Sequence, residues 1–189
     1  FDVLLTACAT CTSTIKTAWP AMVHDQPEAL RKRVEQIAEK TTDINAFVAP
    51  MIDPEKLAAP PGKPPVVVTY HDPCHLKKSL GIFVEPRQLL TKAPSCRLVE
   101  MEEPDACCGM GGSFNLQYYE ISSSIGRRKR DQIVAAGASA VATGCPACML
   151  QISDMLSRSG DSLRVCHPIE IIAEAMDASA AGSLQGILR

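Results

Sequence analysis

Short apolar runs alternate along the chain with longer stretches whose apolar positions recur every three or four residues. Asp2 to Thr6 reads as a short buried strand, followed by a Cys8-x-x-Cys11 turn and a helix through Ile15. Pro27 to about Lys40 predicts a second helix, with Pro27 in its first turn and Leu30, Val34, Ile37 and Ala38 on one face. A short helical segment is expected around Asn45 to Val48. Between Pro50 and Pro65 the pattern stops: six of the fourteen prolines fall there, which denies regular structure and marks a linker.

Beyond the prolines the alternation is regular. Val66 to Thr69, closed by Tyr70, is a β-branched run of the kind buried on both faces of a sheet. His71 to Ser79 is a turn carrying Cys74 and opening a helix. Pro86 to Lys92 predicts a helix and Cys96 to Met101 a strand. Tyr118 to Ala136 predicts the longest helix, with Ile121, Ile125, Gln132, Ile133 and Ala136 near one stripe and Gly137 as its stop. Ala140 to Thr143 reads as a strand, Cys148 to Arg158 as a helix, Leu163 to Cys166 as a strand and Ile169 to Met176 as a final helix. Strands alternating with helices predict an α/β domain with a mainly parallel sheet.

One unit of this pattern occurs twice. Asp2 to Cys11 and Ala140 to Cys148 share a design of strand, small residue, Cys-x-x-Cys and helix, 137 residues apart. Four segments follow: residues 1–49 as the C-terminal part of a first repeat, 50–65 as linker, 66–176 as a complete second repeat, and 177–189 as a weakly patterned tail. The start at Phe1, without an initiator Met, is expected of a piece of a longer chain.

Composition narrows the chemistry. A hydrophobic fraction of 46% supplies a normal core, but with 4% aromatics that core must be built from Ala, Val, Ile, Leu and Met. A net charge of −2 gives no reason to expect nucleic acid or an anionic membrane as partner. No apolar run approaches the roughly 18–20 residues of a membrane helix. No nucleophile–base pair, phosphate loop or zinc-protease motif is present.

Nine cysteines are the unusual feature. An odd number cannot all pair internally, and the adjacent Cys107-Cys108 makes a poor disulfide framework. Thiolates kept reduced in the cytoplasm and holding metal fit better. Cys74 follows one predicted strand, Cys107 and Cys108 lie in a Gly-rich loop, and Cys145-x-x-Cys148 follows another strand. In a parallel sheet such positions converge at the carboxyl edge. Gly109, Gly111 and Gly112 let backbone N–H groups approach an anionic sulfur cage. Cys145, near a helix N-terminus, is biased towards thiolate. Soft ligands select iron–sulfur or zinc, and spacing alone does not separate the two. A fifth thiol is surplus to zinc and to an ordinary cubane alike.

The wording Tyr70-His-Asp-Pro-Cys74-His-Leu, Cys107-Cys-Gly-Met-Gly-Gly and Gly144-Cys-Pro-Ala-Cys148 resembles the cysteine-rich CCG domain. That domain is found, usually twice, in heterodisulfide reductase and in the iron–sulfur subunits of glycolate, lactate and anaerobic glycerol-3-phosphate oxidation. The resemblance implies a Rossmann-like parallel sheet flanked by helices. It also implies a [4Fe–4S] cluster, non-cubane in heterodisulfide reductase, held by Cys74, Cys107, Cys108, Cys145 and Cys148. Cys8 and Cys11 would be half of a first site. Zinc is the alternative occupant, since some relatives hold it in one repeat. The text His71-Asp-Pro-Cys74-His75-Leu and the helix from Ile121 to Lys129 look closest to the glycolate or lactate proteins.

The function implied is an iron–sulfur electron-transfer subunit of a flavin-linked 2-hydroxyacid dehydrogenase complex, without its own substrate site in this stretch. An FAD-containing dehydrogenase subunit and other redox subunits would be its partners. It would be cytoplasmic, with attachment to the inner face of the membrane only through the complex. The alternatives are a heterodisulfide-reductase-like subunit that cleaves a disulfide at its cluster, and a zinc-stabilised interaction module. Elsewhere, Cys96 and Cys166 are expected in the core, and His75 as a hydrogen-bond donor to a cluster or as a surface residue. His71 and Asp72 are expected to shape the turn before Pro73, and Arg127 to Arg130 to form a solvated helix face.

Overall fold

The computed structural model describes residues 1–187. In chain order it contains β1 (Leu4–Thr6), α1 (Ala9–Ser13), a wide helical turn over Thr14–Ala18, α2 (Trp19–Met22), α3 (Glu28–Lys40), β2 (Thr41–Asp43) and α4 (Ile44–Val48). After the proline-rich stretch come β3 (Val66–Tyr70), a second wide turn over His75–Ser79, α5 (Glu85–Lys92), β4 (Cys96–Leu98) and α6 (Ser113–Gln117). The chain continues through α7 (Tyr119–Ala135), β5 (Ala140–Ala142), α8 (Pro146–Arg158), β6 (Arg164–Cys166) and α9 (Pro168–Ile187).

All four strands of the main sheet run parallel, in the order β4-β3-β5-β6. The α/β architecture expected from the alternation is therefore present, and the side-chain period of two explains how it is filled. On the central strand β5, Ala140 and Ala142 face one layer and Val141 the other. The first layer packs Val68, Tyr70, Leu89, Leu90 and Ile172 under α5 and α9. The second packs Ile133, Val141, Ile152 and Leu156 under α7 and α8. Alanines on β5 leave room for bulky helix residues, which is how a core poor in aromatics closes.

The N-terminal segment, expected to be part of a first repeat, has a small sheet of its own. β1 and β2 form a two-stranded parallel sheet with Leu4 opposite Thr41. In each copy the first cysteine of the Cys-x-x-Cys pair is the helix N-cap, with nearly the same backbone: φ −150°, ψ 110° at Cys8, and φ −143°, ψ 113° at Cys145. The two copies abut at Gly144, whose carbonyl accepts a hydrogen bond from the Ala9 N–H at 3.0 Å. A side chain there would press on Leu76 and Asn45, so glycine permits the approach.

Several boundaries differ from expectation. β2 escapes the hydrophobic pattern because Thr41-Thr-Asp43 is polar; its N-capping Asp43 starts α4 by accepting from the Asn45 N–H at 2.8 Å. α6 lies inside the stretch expected to be a glycine loop. The final helix runs on past Met176 to Ile187. The proline-rich stretch contains a short 3₁₀ turn, Pro54–Lys56, and is tied down: Leu57 joins the core and the Ala58 N–H bonds the Ala175 carbonyl.

Candidate metal centre

Each predicted ligand sits just beyond the carboxyl end of a strand. Cys74 follows β3, Cys107 and Cys108 follow β4, Cys145 precedes α8 after β5, and Cys8 follows β1. Of the five expected ligands, Cys108 and Cys148 have sulfurs within 4.8 Å of each other. The protonation of Cys107 is coupled to that of Cys108, and Cys148 is coupled to both Cys108 and Cys145. Cys108, Cys145 and Cys148 are buried, whereas Cys74 and Cys107 are exposed, so the site has a floor and an open side.

Protonation follows from these contacts. Cys108 is held far below an ordinary thiol by the donors Cys107 and Cys148. Cys145 is lowered to about 5, first by Cys148 and then by the Thr10 hydroxyl 3.5 Å away. Cys148 and Cys107 are pushed up because each donates to a neighbouring sulfur. Alternating thiolate and thiol is what a compact set of soft ligands does when it must share protons. Such a set suits a thiophilic metal or cluster, which would displace the remaining protons.

The Gly-rich loop is clamped from below. Gly109 has φ +94°, and a Cβ there would run into the Ser122 carbonyl oxygen. Its N–H donates to Cys107 Sγ at 3.3 Å, and its carbonyl accepts from Ser122 Oγ at 2.7 Å. Asn115 Nδ2 bonds both Ser122 Oγ and Gln151 Oε1, at 2.9 and 2.8 Å. This buried amide and hydroxyl clamp overturns the expected apolar stripe of α7. The buried face is Ser122, Gly126, Lys129 and Ile133, while Ile121 is exposed. Polar residues serving a loop do not register in hydrophobic periodicity.

The basic run on α7 is likewise not a solvated face throughout. Arg127 is exposed, but Lys129 is 1% exposed. Its Nζ donates to the Glu103 carbonyl at 2.7 Å and lies against Met101 Sδ. Burial lowers Lys129 to about 8, partly offset by the field of Cys108. Arg128 pairs with Glu103, and Arg130 with Asp161.

The turn before Pro73 is shaped by both of its expected residues. His71 and Asp72 are buried. The Asp72 N–H and His71 Nδ1 both bond the Pro104 carbonyl, at 2.9 and 3.1 Å. His71, Cys108 and Cys148 each offer a ligand atom, all within 4.8 Å of one another. His75 turns instead to Thr10 Oγ1 at 3.2 Å. Thr10 thereby links the first repeat's Cys8–Cys11 turn to Cys145 and His75. Cys8 is raised to about 11, chiefly by burial, and Cys11 is exposed. Cys166 is in the core as expected, whereas Cys96 is half-buried at its edge. His167 is buried at the start of α9 and His24 is on the surface, bonded to the Ala21 carbonyl.

The parallel sheet thus carries a buried pair of thiols, Cys108 and Cys148, beside His71. Residues 68–153 match the family model of the cysteine-rich domain, CCG. Relatives of the chain include a component of the fumarate reductase (CoM/CoB) of Methanothermobacter marburgensis, 36% identical over 91% of this chain and 32% of that protein. Lactate utilization protein A of an Exiguobacterium species is 28% identical over 84% of this chain and 63% of its own length. A probable glycolate oxidase iron–sulfur subunit of Bacillus subtilis is 30% identical over 92% of the chain and 39% of its own. The chain therefore spans less than two thirds of each of these relatives. Among the described residues, no helix is long and apolar enough to cross a membrane.

Proposed function

We propose that this chain is the cluster-bearing part of an iron–sulfur electron-transfer subunit serving a flavin-linked oxidation of a 2-hydroxyacid such as glycolate or lactate. The observation that supports the reading is the close, buried pair Cys108 and Cys148, with the protonation of Cys107 and Cys145 coupled to it. Five converging sulfurs exceed what a tetrahedral zinc site uses. The glycolate and lactate relatives supply the substrate class.

A [4Fe–4S] cluster would store and pass one electron at a time. The protein's part is to hold five sulfurs in place, to present backbone N–H groups such as that of Gly109, and to keep water from Cys108, Cys145 and Cys148. Exposed Cys74 and Cys107 form the side on which a partner flavoprotein or other redox partner would exchange electrons. Peripheral attachment to a membrane would come through that complex.

The test is anaerobic production with iron and sulfide reconstitution, followed by metal analysis and electron paramagnetic resonance. About four irons per chain and a reducible paramagnetic cluster support the reading. About one zinc per chain with no visible absorption overturns it in favour of an interaction module. A disulfide-cleaving role has one specific observation in its favour: the exposed Cys11, Cys74 and Cys107 leave sulfur accessible beside the site. Turnover of a disulfide substrate by the reconstituted chain without a flavoprotein would select that reading.

A further inference from the structure

Among the polar atoms that the fold buries without a hydrogen-bond partner is His71 Nε2. A ring nitrogen of His71, Cys108 Sγ and Cys148 Sγ all lie within 4.8 Å of one another. The rest of the ring is fixed. The His71 N–H bonds the Ala142 carbonyl at 2.9 Å, which pins the residue to the end of β5. Nδ1 sits 3.1 Å from the Pro104 carbonyl. A carbonyl can only accept, so Nδ1 carries the proton towards Pro104, and Nε2 is the ring nitrogen left for another partner. The neighbouring carboxylate, Asp72, is occupied by Arg87 on both oxygens and does not serve the imidazole.

A ring anchored through Nδ1–H to a backbone carbonyl, with the opposite nitrogen buried and unpartnered and the ring beside two thiols, has the arrangement of a metal-ligating histidine. We propose that His71 is a ligand of the same centre as Cys108 and Cys148, bound through Nε2. The proposal rests on the reading of the cysteine set as a metal centre, and adds to it a donor of a different kind. Its chemical meaning is charge. Five thiolates on one mostly buried centre accumulate negative charge, and an imidazole supplies a coordination bond without adding more. Where imidazole replaces thiolate on iron–sulfur centres, the reduction potential rises.

The simpler role, a hydrogen bond accepted by Nε2 from a cysteine S–H, is separable by spectroscopy. The protein, reconstituted anaerobically with natural and with ¹⁵N-labelled histidine, is reduced and its cluster examined by pulsed electron–nuclear hyperfine measurement. A directly bound nitrogen gives a strong coupling that changes with the isotope. The coupling is expected in the wild type, retained in His75→Gln and lost in His71→Gln. A wild-type cluster that forms fully yet shows no histidine-nitrogen coupling overturns the assignment and leaves the cluster reading standing. The same holds if His71→Gln keeps the coupling. If the chain instead takes zinc, absorption at the zinc edge must show a nitrogen scatterer at about 2.0–2.1 Å that His71→Gln removes, or the assignment falls. Failure to bind any metal overturns both readings. Should His71→Gln not fold, the labelled wild type together with His75→Gln and His167→Gln decides the case.

Discussion

Arg87 grips Asp72 with two parallel hydrogen bonds, Nη1 to Oδ1 at 2.8 Å and Nη2 to Oδ2 at 3.0 Å, beneath the turn that carries Cys74. The Asp72 carboxylate is 1% exposed, and the guanidinium also bonds Glu100 and lies over the Tyr70 ring. Removing the cation leaves a buried carboxylate with only the more distant Lys77, at 3.7 Å. Arg87→Ala should therefore destabilise the metal-free chain by about 3–5 kcal/mol. Urea unfolding under reducing conditions measures it, and Arg87→Ala combined with Asp72→Asn should recover part of the loss.

Gly109 and Gly137 both have positive φ, but their surroundings differ. A methyl group at Gly137 meets nothing within 4 Å, so Gly137→Ala should cost about 1 kcal/mol, the conformational penalty alone. At Gly109 the methyl group meets the Ser122 carbonyl, so the loop must move. Gly109→Ala should lose metal during reconstitution, while Gly137→Ala retains wild-type metal content.

Lys129 gives a pH dependence of defined sign. Its ordinary value of 10.5 falls to about 8 in the fold, so between these limits the unfolded chain binds the extra proton. Stability of the metal-free protein should therefore rise as pH rises from about 8 towards 10.5. Lys129→Met should remove that contribution. Denaturant midpoints at several pH values, compared between the two proteins, read it directly.

Cys96 and Cys166 are raised to about 11 and about 12 by burial, and so remain thiols at neutral pH. Half-buried Cys96 should react slowly with iodoacetamide at pH 8 and faster as pH approaches 11, whereas Cys166 reacts only on unfolding. Cys96→Ala and Cys166→Ala should each leave metal content unchanged. Cys108→Ala should abolish it.

Much of the fold was legible because it rests on local signals. The Val66 to Tyr70 run, Pro146 in the first turn of α8 and Gly137 after α7 each act through the backbone of their own segment. The approach of Cys108 to Cys148 was legible too, since segments that follow strands in a parallel sheet share an edge. The loop clamp was not. Asn115, Ser122 and Gln151 meet across 36 residues, and nothing in their spacing distinguishes a buried amide from a solvated one. Lys129 was hidden for the same reason, inside a run of charges whose other members do reach solvent. The signal that could have found it is its phase, for position 129 falls on the same helical stripe as 122, 126 and 133.

The hydrogen bond from Ala9 to the Gly144 carbonyl joins the residue after one cysteine to the residue before another. It makes the two Cys-x-x-Cys turns mechanically one object. Substitutions around either turn can change its charge or affinity, but the main-chain bond between them, with the Thr10 hydroxyl beside Cys145, holds the gap. If both turns carry redox groups, the tunnelling distance is constant while the driving force remains free to vary by mutation.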